Sequence, residues 1–234
     1  MVKRSYLALC VSTRMESWPF SEIPFYCLAD PKYFPRSRSK ERVDYLAEKW
    51  NQCHEAGLQR FPNATHVVNV GSYYLAQISS LRHLINKYDE LDCNIILSGN
   101  VWARIDQVLP YKTTYDTWAC PDLAGFTWRV RRPNGLVQVS SVAMPCIYPV
   151  GAWRVHRFHN PESVDDGIWY NTFCNESGLP VFVDLSIDFY RSKHDSDIVQ
   201  LPFAKQLRIA LGIRKRLRKK ISRRRANYHN ALTS

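Results

Sequence analysis

Asn63-Ala-Thr-His-Val-Val-Asn-Val-Gly-Ser-Tyr-Tyr-Leu75 joins a strand pattern to a helix pattern through a tight turn. Its apolar run, His66 to Val70, is rich in β-branched residues and stops at Gly71-Ser72. A helix-like pattern begins at once, from about Gln77 to Tyr88. Strand, tight turn and helix form the half-unit of parallel α/β sheets. In such sheets ligands sit just beyond the carboxyl ends of the strands. The turn at 69–74 is therefore where chemistry is expected.

Working outward, Tyr6–Ser12 reads as a buried first strand and Phe25–Ala29 as a second, ending at Asp30-Pro31. Arg42 to Leu58 forms an amphipathic helix, with Val43, Leu46, Ala47, Trp50 and Cys53 or His54 at helical spacing. Beyond the central helix, Asn94–Leu97 is a short strand closed by Ser98-Gly99-Asn100. Residues 101–128 read as aromatic-rich and irregular. Val137–Val142 alternates like a half-buried strand, and Pro145, Pro149 and Gly151 break up the next segment. Ser163 or Asp165 caps a helix carrying Ile168, Trp169, Thr172 and Phe173 and stopping at Gly178. Leu179–Val183 is a further strand, leading to Asp184.

Composition narrows the function classes. At 234 residues the chain can bury one substantial core. Its net charge of +11 suggests nucleic acid until it is located. Lys205 to Arg225 hold eleven basic residues and no acidic one, and the remaining 21 basic residues balance 21 acidic ones. The body is neutral and the excess belongs to the tail. Seven scattered cysteines without a C-x-x-C suggest reduced thiols and a cytosolic setting. The opening apolar run is too short for a signal peptide, and no apolar stretch approaches a membrane span. Neither G-x-G-x-x-G, nor a Gly-Lys-Ser/Thr phosphate loop, nor a G-x-S-x-G elbow occurs. His156 and His159, and the adjacent Cys53 and His54, bring no further ligands at zinc-site spacing.

The most distinctive feature is the order of parts: strand, helix, the strand-turn at Asn69–Ser72, an aromatic segment, Asp165-Asp166 at a helix start, then a last strand. This order resembles glycosyltransferases of the GT-A fold, over about residues 5 to 190. The resemblance implies an α/β domain of GT-A, Rossmann-like type, with a mixed, mostly parallel sheet flanked by helices, over residues 1–200. It also implies transfer of a sugar from a nucleotide-sugar donor to a lipid, glycan or protein acceptor. Asp166 matches the family's general base and Asp165 its supporting neighbour. A carboxylate suits that place, since the acceptor hydroxyl must lose its proton as it attacks the anomeric carbon. Acidic residues at a helix start also serve simply to complement the macrodipole.

Asp30 matches the acidic residue near the nucleoside, and Asn69, Gly71 and Ser72 occupy the place of the family's D-x-D element. That element holds Mg²⁺ or Mn²⁺ together with the diphosphate, yet here no carboxylate stands in it. Three outcomes are open: metal-independent transfer aided by Arg104, Arg129 or Arg191; weak metal binding through Asn69, Ser72 and substrate; or binding without transfer. Trp102, Trp118 and Trp153 are candidates to stack on a sugar or line an acceptor groove.

Residues 201–234 are expected to form a basic C-terminal helix. Leu207, Ala210, Leu211, Leu217 and Ile221 share one arc, with cations among and around them. Such a helix suits an anionic membrane surface, which makes the expected location cytoplasmic and peripheral to the membrane. A disordered tail, nucleic-acid binding through counterion release and docking on a partner are the other readings.

Overall fold

The computed structural model describes residues 4–30, 40–104, 112–114, 135–142, 144–160 and 168–190. The chain divides into two units, Met1–Arg104 with Tyr111–Ser192, and Ile105–Pro110 with Lys193–Ser234. Every described residue belongs to the first unit, so the expected C-terminal helix lies outside the described residues.

Among the described residues eight strands make one mixed sheet: β1 (Tyr6–Ser12), β2 (Phe25–Ala29), β3 (His66–Asn69), β4 (Ile96–Arg104), β5 (Lys112–Thr114), β6 (Leu136–Val139), β7 (Cys146–Pro149) and β8 (Val181–Tyr190). The spatial order is β2-β1-β3-β7-β4-β8-β6, with β5 beside β4. Pairing directions make β1, β2, β3, β4 and β8 run one way and β5, β6 and β7 the other. Four α-helices accompany these strands: α1 (Lys40–Arg60), α2 (Ile78–Leu91), α3 (Val150–Val155) and α4 (Ile168–Glu176).

The period-two alternation of strand side chains divides the core into two layers. Leu7, Leu9 and Val67 face a cluster with Val43, Ala47 and Trp50 of α1, Trp153 of α3 and Phe173 of α4. Tyr6, Ala8, Cys10 and Val68 face the other way, onto Leu81, Leu84, Ile85 and Tyr88 of α2. The sheet is thus covered on both faces, which is why its central strands carry apolar residues toward both layers rather than on one face alone.

One side chain ties sheet to helix. The guanidinium of Arg4 donates to the carbonyls of Tyr88 (2.7 Å) and Cys93 (3.4 Å) and lies near the carboxylates of Asp89 and Asp92. A cation at a helix C-terminus satisfies orphan carbonyls and complements the macrodipole. Asp92 closes the same end of α2 in the left-handed region, with φ 42°.

Several expectations change here: β6 stops at Val139 short of the expected Val142, and β8 runs well past the expected Val183 to Tyr190. β4 does not stop at Ser98-Gly99-Asn100 but runs on to Arg104, because β8 continues beside it through an irregularity between Gly99 and Asn100. Lys112–Thr114 then adds an antiparallel strand within the stretch expected to be irregular. Likewise Pro145, Pro149 and Gly151 do not leave a broken segment. Cys146–Pro149 is β7, inserted between β3 and β4, and Pro149 is the residue on which α3 starts. Proline is tolerated at such a boundary because its missing N–H has no ladder partner to lose.

Candidate functional site

In the sheet order, β1 connects to β2 on one side, and the chain crosses back to β3 on the other. That reversal is a topological switch point, and open α/β sheets place their ligand crevice beyond such a point, which here means the carboxyl ends of β1 and β3. Ser12, Asp30 and the turn at 69–72 emerge at this edge. α4 ends four residues before β8 begins. Asp165 and Asp166 precede Ile168 and lie outside the described residues, as does Trp118. Trp102 pairs through its backbone with Thr114 and Tyr190 on β4's outer half; its side chain also lies outside them.

Asp30 follows β2 directly, and its N–H donates to the carbonyl of Ser12 (2.8 Å). Its half-buried carboxylate accepts the Tyr45 hydroxyl at 2.5 Å and pairs with Lys49 Nζ at 3.1 Å. Lys49 in turn donates to Gln52 Oε1 (3.0 Å) and stands 5.3 Å over the Tyr45 ring. Burial, together with the Asp30 carboxylate, pushes the Tyr45 hydroxyl up to about 12. Helix α1 supplies both partners at Tyr45 and Lys49, one turn apart on one face. Asp30 is therefore a bonded acidic group at the carboxyl edge, held there by two side chains of α1.

Asn69 takes a different place from the one its position in the turn suggests. It has no solvent exposure. Its Nδ2 donates to the Tyr148 hydroxyl at 2.6 Å, and the same hydroxyl is 2.8 Å from His54 Nε2. His54 Nδ1 lies 2.7 Å from the Trp50 carbonyl. A carbonyl only accepts, so Nδ1 carries the proton, Nε2 accepts from Tyr148, and the Tyr148 oxygen accepts from Asn69. Burial lowers the His54 pKa to about 3 and raises that of Tyr148, so every member of this chain of bonds is neutral. Asn69 is thus tied into the core under β3 and β7 and does not face the crevice.

Gly71 is also buried; its carbonyl accepts the Tyr74 N–H (2.9 Å) as a single turn of 3₁₀ helix, Ser72–Tyr74, begins. Ser72 is half-buried and is the first side chain of the turn to approach solvent.

Trp153 is 3% exposed. It stacks on His54 at 4.8 Å between ring centroids, and its Nε1 donates to Asn51 Oδ1 at 3.0 Å. Asn51 closes the arrangement by accepting the Phe158 N–H and donating to the Phe158 carbonyl. Both the ring face and the N–H are in use, so Trp153 fills the core and offers no sugar-stacking surface.

One residue at this edge escapes a reading of the sequence alone. Arg14 lies two residues past β1, with 81% of its side chain exposed, and its Nε is 3.2 Å from Glu16 Oε1. Glu16 also accepts the Ser12 hydroxyl (2.9 Å). A cation just beyond the first strand is the signal that would have found it.

Among the described residues no group of three or more His, Cys, Asp or Glu side chains could hold a metal ion. The donor set of the turn does not fit Mg²⁺ or Mn²⁺: a buried, bonded amide, a glycine and one hydroxyl. An open cavity of about 520 Å³ does occur, but at the amino edge, between the start of β1 and α2, lined by Tyr6, Phe20, Glu22, Ile23, Arg82 and Asp89 among others. None of the crevice residues lies in it. Its polar groups bond to each other: Arg82 to Glu22 at 3.0 Å, Tyr6 to Asp89 at 2.5 Å.

No family model matches the chain, and no curated protein matches it. Among solved structures it is similar to "Crystal Structure of A197 from STIV", at 8% identity, covering 78% of this chain and 82% of that one, with a TM-score of 0.43. Established for this chain is an α/β architecture whose mixed sheet is covered by helices on both faces.

Proposed function

We propose that the chain is a GT-A-type glycosyltransferase, moving a sugar from a nucleotide-sugar donor to a lipid, glycan or protein acceptor. The observation that carries this reading is the switch point between β1 and β3, where the turn after β3 and Asp30 emerge at one edge. In this reading Asp30 meets the nucleoside, Ser72 and Gly71 border the diphosphate, and Asp166 accepts the acceptor's proton with Asp165 supporting it. As the acceptor oxygen bonds to the anomeric carbon, the bond to the nucleoside diphosphate breaks and that group leaves. The experiment is donor turnover by Asp166→Asn, with wild-type thermal stability as the control for folding. A loss of about 10²-fold or more is expected for a general base; unchanged turnover would remove Asp166 from the role.

A second reading is binding without transfer, favoured by Asn69, whose amide is committed to Tyr148 where GT-A enzymes present a metal-binding carboxylate. It predicts stabilisation by nucleoside diphosphates in a thermal-shift screen with no turnover of any nucleotide-sugar, with or without Mn²⁺. The basic tail is proposed to hold the protein at an anionic membrane surface. Among the described residues no helix is long and apolar enough to cross a membrane.

A further inference from the structure

We infer that the turn after β3 contributes no ligand to a divalent cation, and that Asn69 is a core tie where a metal-binding side chain would be looked for. This rests on the proposed reading of that edge as a nucleotide site. Mg²⁺ and Mn²⁺ bind through oxygens, carboxylates foremost, and keep several waters. Asn69, with no exposure, cannot meet a hydrated ion. Rotating it outward would break its bond to Tyr148 and leave that buried hydroxyl one donor short. The Gly71 carbonyl is engaged by the Tyr74 N–H, and Gly71 has no side chain to offer. Among the side chains of residues 69–72, Ser72 is left with a single neutral oxygen, too little to strip water from a hard cation. A diphosphate bordering this turn must then be balanced by groups outside it, and Arg14 is an exposed cation beyond the neighbouring strand.

Two measurements on the full-length protein test the inference. In the first, Mn²⁺ alone is titrated in and free Mn²⁺ is read by its paramagnetic resonance signal, for wild type and Ser72→Ala. The expected result is either no bound Mn²⁺ or binding that Ser72→Ala leaves unchanged. A Mn²⁺ site that Ser72→Ala abolishes overturns the inference. In the second, calorimetry measures binding of UDP, GDP and CDP in Mn²⁺ and in EDTA. Affinities within about threefold of each other, or a metal effect of the same size in wild type and Ser72→Ala, uphold it. A loss in EDTA of about tenfold or more that the variant no longer shows overturns it. If no nucleoside diphosphate binds under either condition, the nucleotide reading fails by itself, and the Mn²⁺ titration still decides the role of the turn.

Discussion

The Tyr148 hydroxyl is the smallest feature on which much else depends, since it joins α1 to the end of β3 through His54 and Asn69. Tyr148→Phe keeps the ring against Phe173, 4.9 Å away, and removes only the oxygen. Two buried polar groups then lose a partner, so a loss of about 1–3 kcal/mol is expected, read from the urea midpoint with an unchanged slope. The histidines make a separate prediction. Burial lowers His54 to about 3; burial and, secondarily, Arg4 lower His66 to about 4. The unfolded chain titrates near 6.5. Between those values the unfolded state binds protons that the folded state does not, so stability rises with pH and is lost on acidification below about 6.5. Each histidine contributes a slope of at most about 1.4 kcal/mol per pH unit. Urea midpoints at pH 7 and pH 5 check this, and a flat profile would mean that neither imidazole is held neutral. At this scale the sequence is least readable. Trp153 and Asn69 have side chains suited to a ligand, and only three-dimensional neighbours such as His54, Asn51 and Tyr148 turn both inward.

Among the elements, β4 and β8 pose the sharpest packing problem. At Gly99 a side-chain carbon would fall 2.6 Å from the Phe189 ring and 2.9 Å from the Ile187 carbonyl oxygen. The Ile187 oxygen is backbone and cannot swing aside, so Gly99→Ala is expected to destabilise by about 1–3 kcal/mol through overpacking. Gly151, inside α3, meets nothing within 4 Å and has an ordinary backbone conformation. Gly151→Ala should stabilise by up to about 1 kcal/mol through the helix-propensity difference alone. Thermal unfolding of the two variants side by side should give opposite shifts; equal shifts would refute the close approach at Gly99. The same contrast shows which elements are legible in a sequence. β1 and β2 are legible to the residue because each is a short apolar run bounded by turn-formers. β4 reads as cut short at Ser98-Gly99-Asn100, where glycine serves close strand approach and not a turn. β7 and α3 are invisible because each spans too few residues for its period to show between prolines.

For the molecule as a whole, charge separates body from tail: the net charge of +11 equals the eleven cations of Lys205 to Arg225. Removing residues 205–234 therefore leaves a body with no net charge, without touching any described element. If the tail works at a membrane, each cation near an anionic surface contributes about 1 kcal/mol. Several acting together suffice for sedimentation with phosphatidylserine vesicles. Full-length protein should then pellet with those vesicles at low salt, remain in solution with neutral phosphatidylcholine vesicles, and lose the association as salt shortens the Debye length. The truncated chain should pellet with neither while unfolding at the same temperature. A nucleic-acid role predicts a different pattern, with logarithmic affinity for DNA or RNA falling linearly with logarithmic salt concentration and collapsing on the same truncation. Apolar contact distinguishes the two. Leu207, Leu211 and Leu217 lie on one arc of the expected helix, and replacing all three by Ser keeps every charge. Vesicle association should weaken in that variant because apolar burial anchors an interfacial helix, whereas counterion-driven binding to nucleic acid would be nearly unaffected. Unchanged pelleting by the serine variant would leave electrostatics alone as the attraction and rule out an amphipathic helix as the anchor.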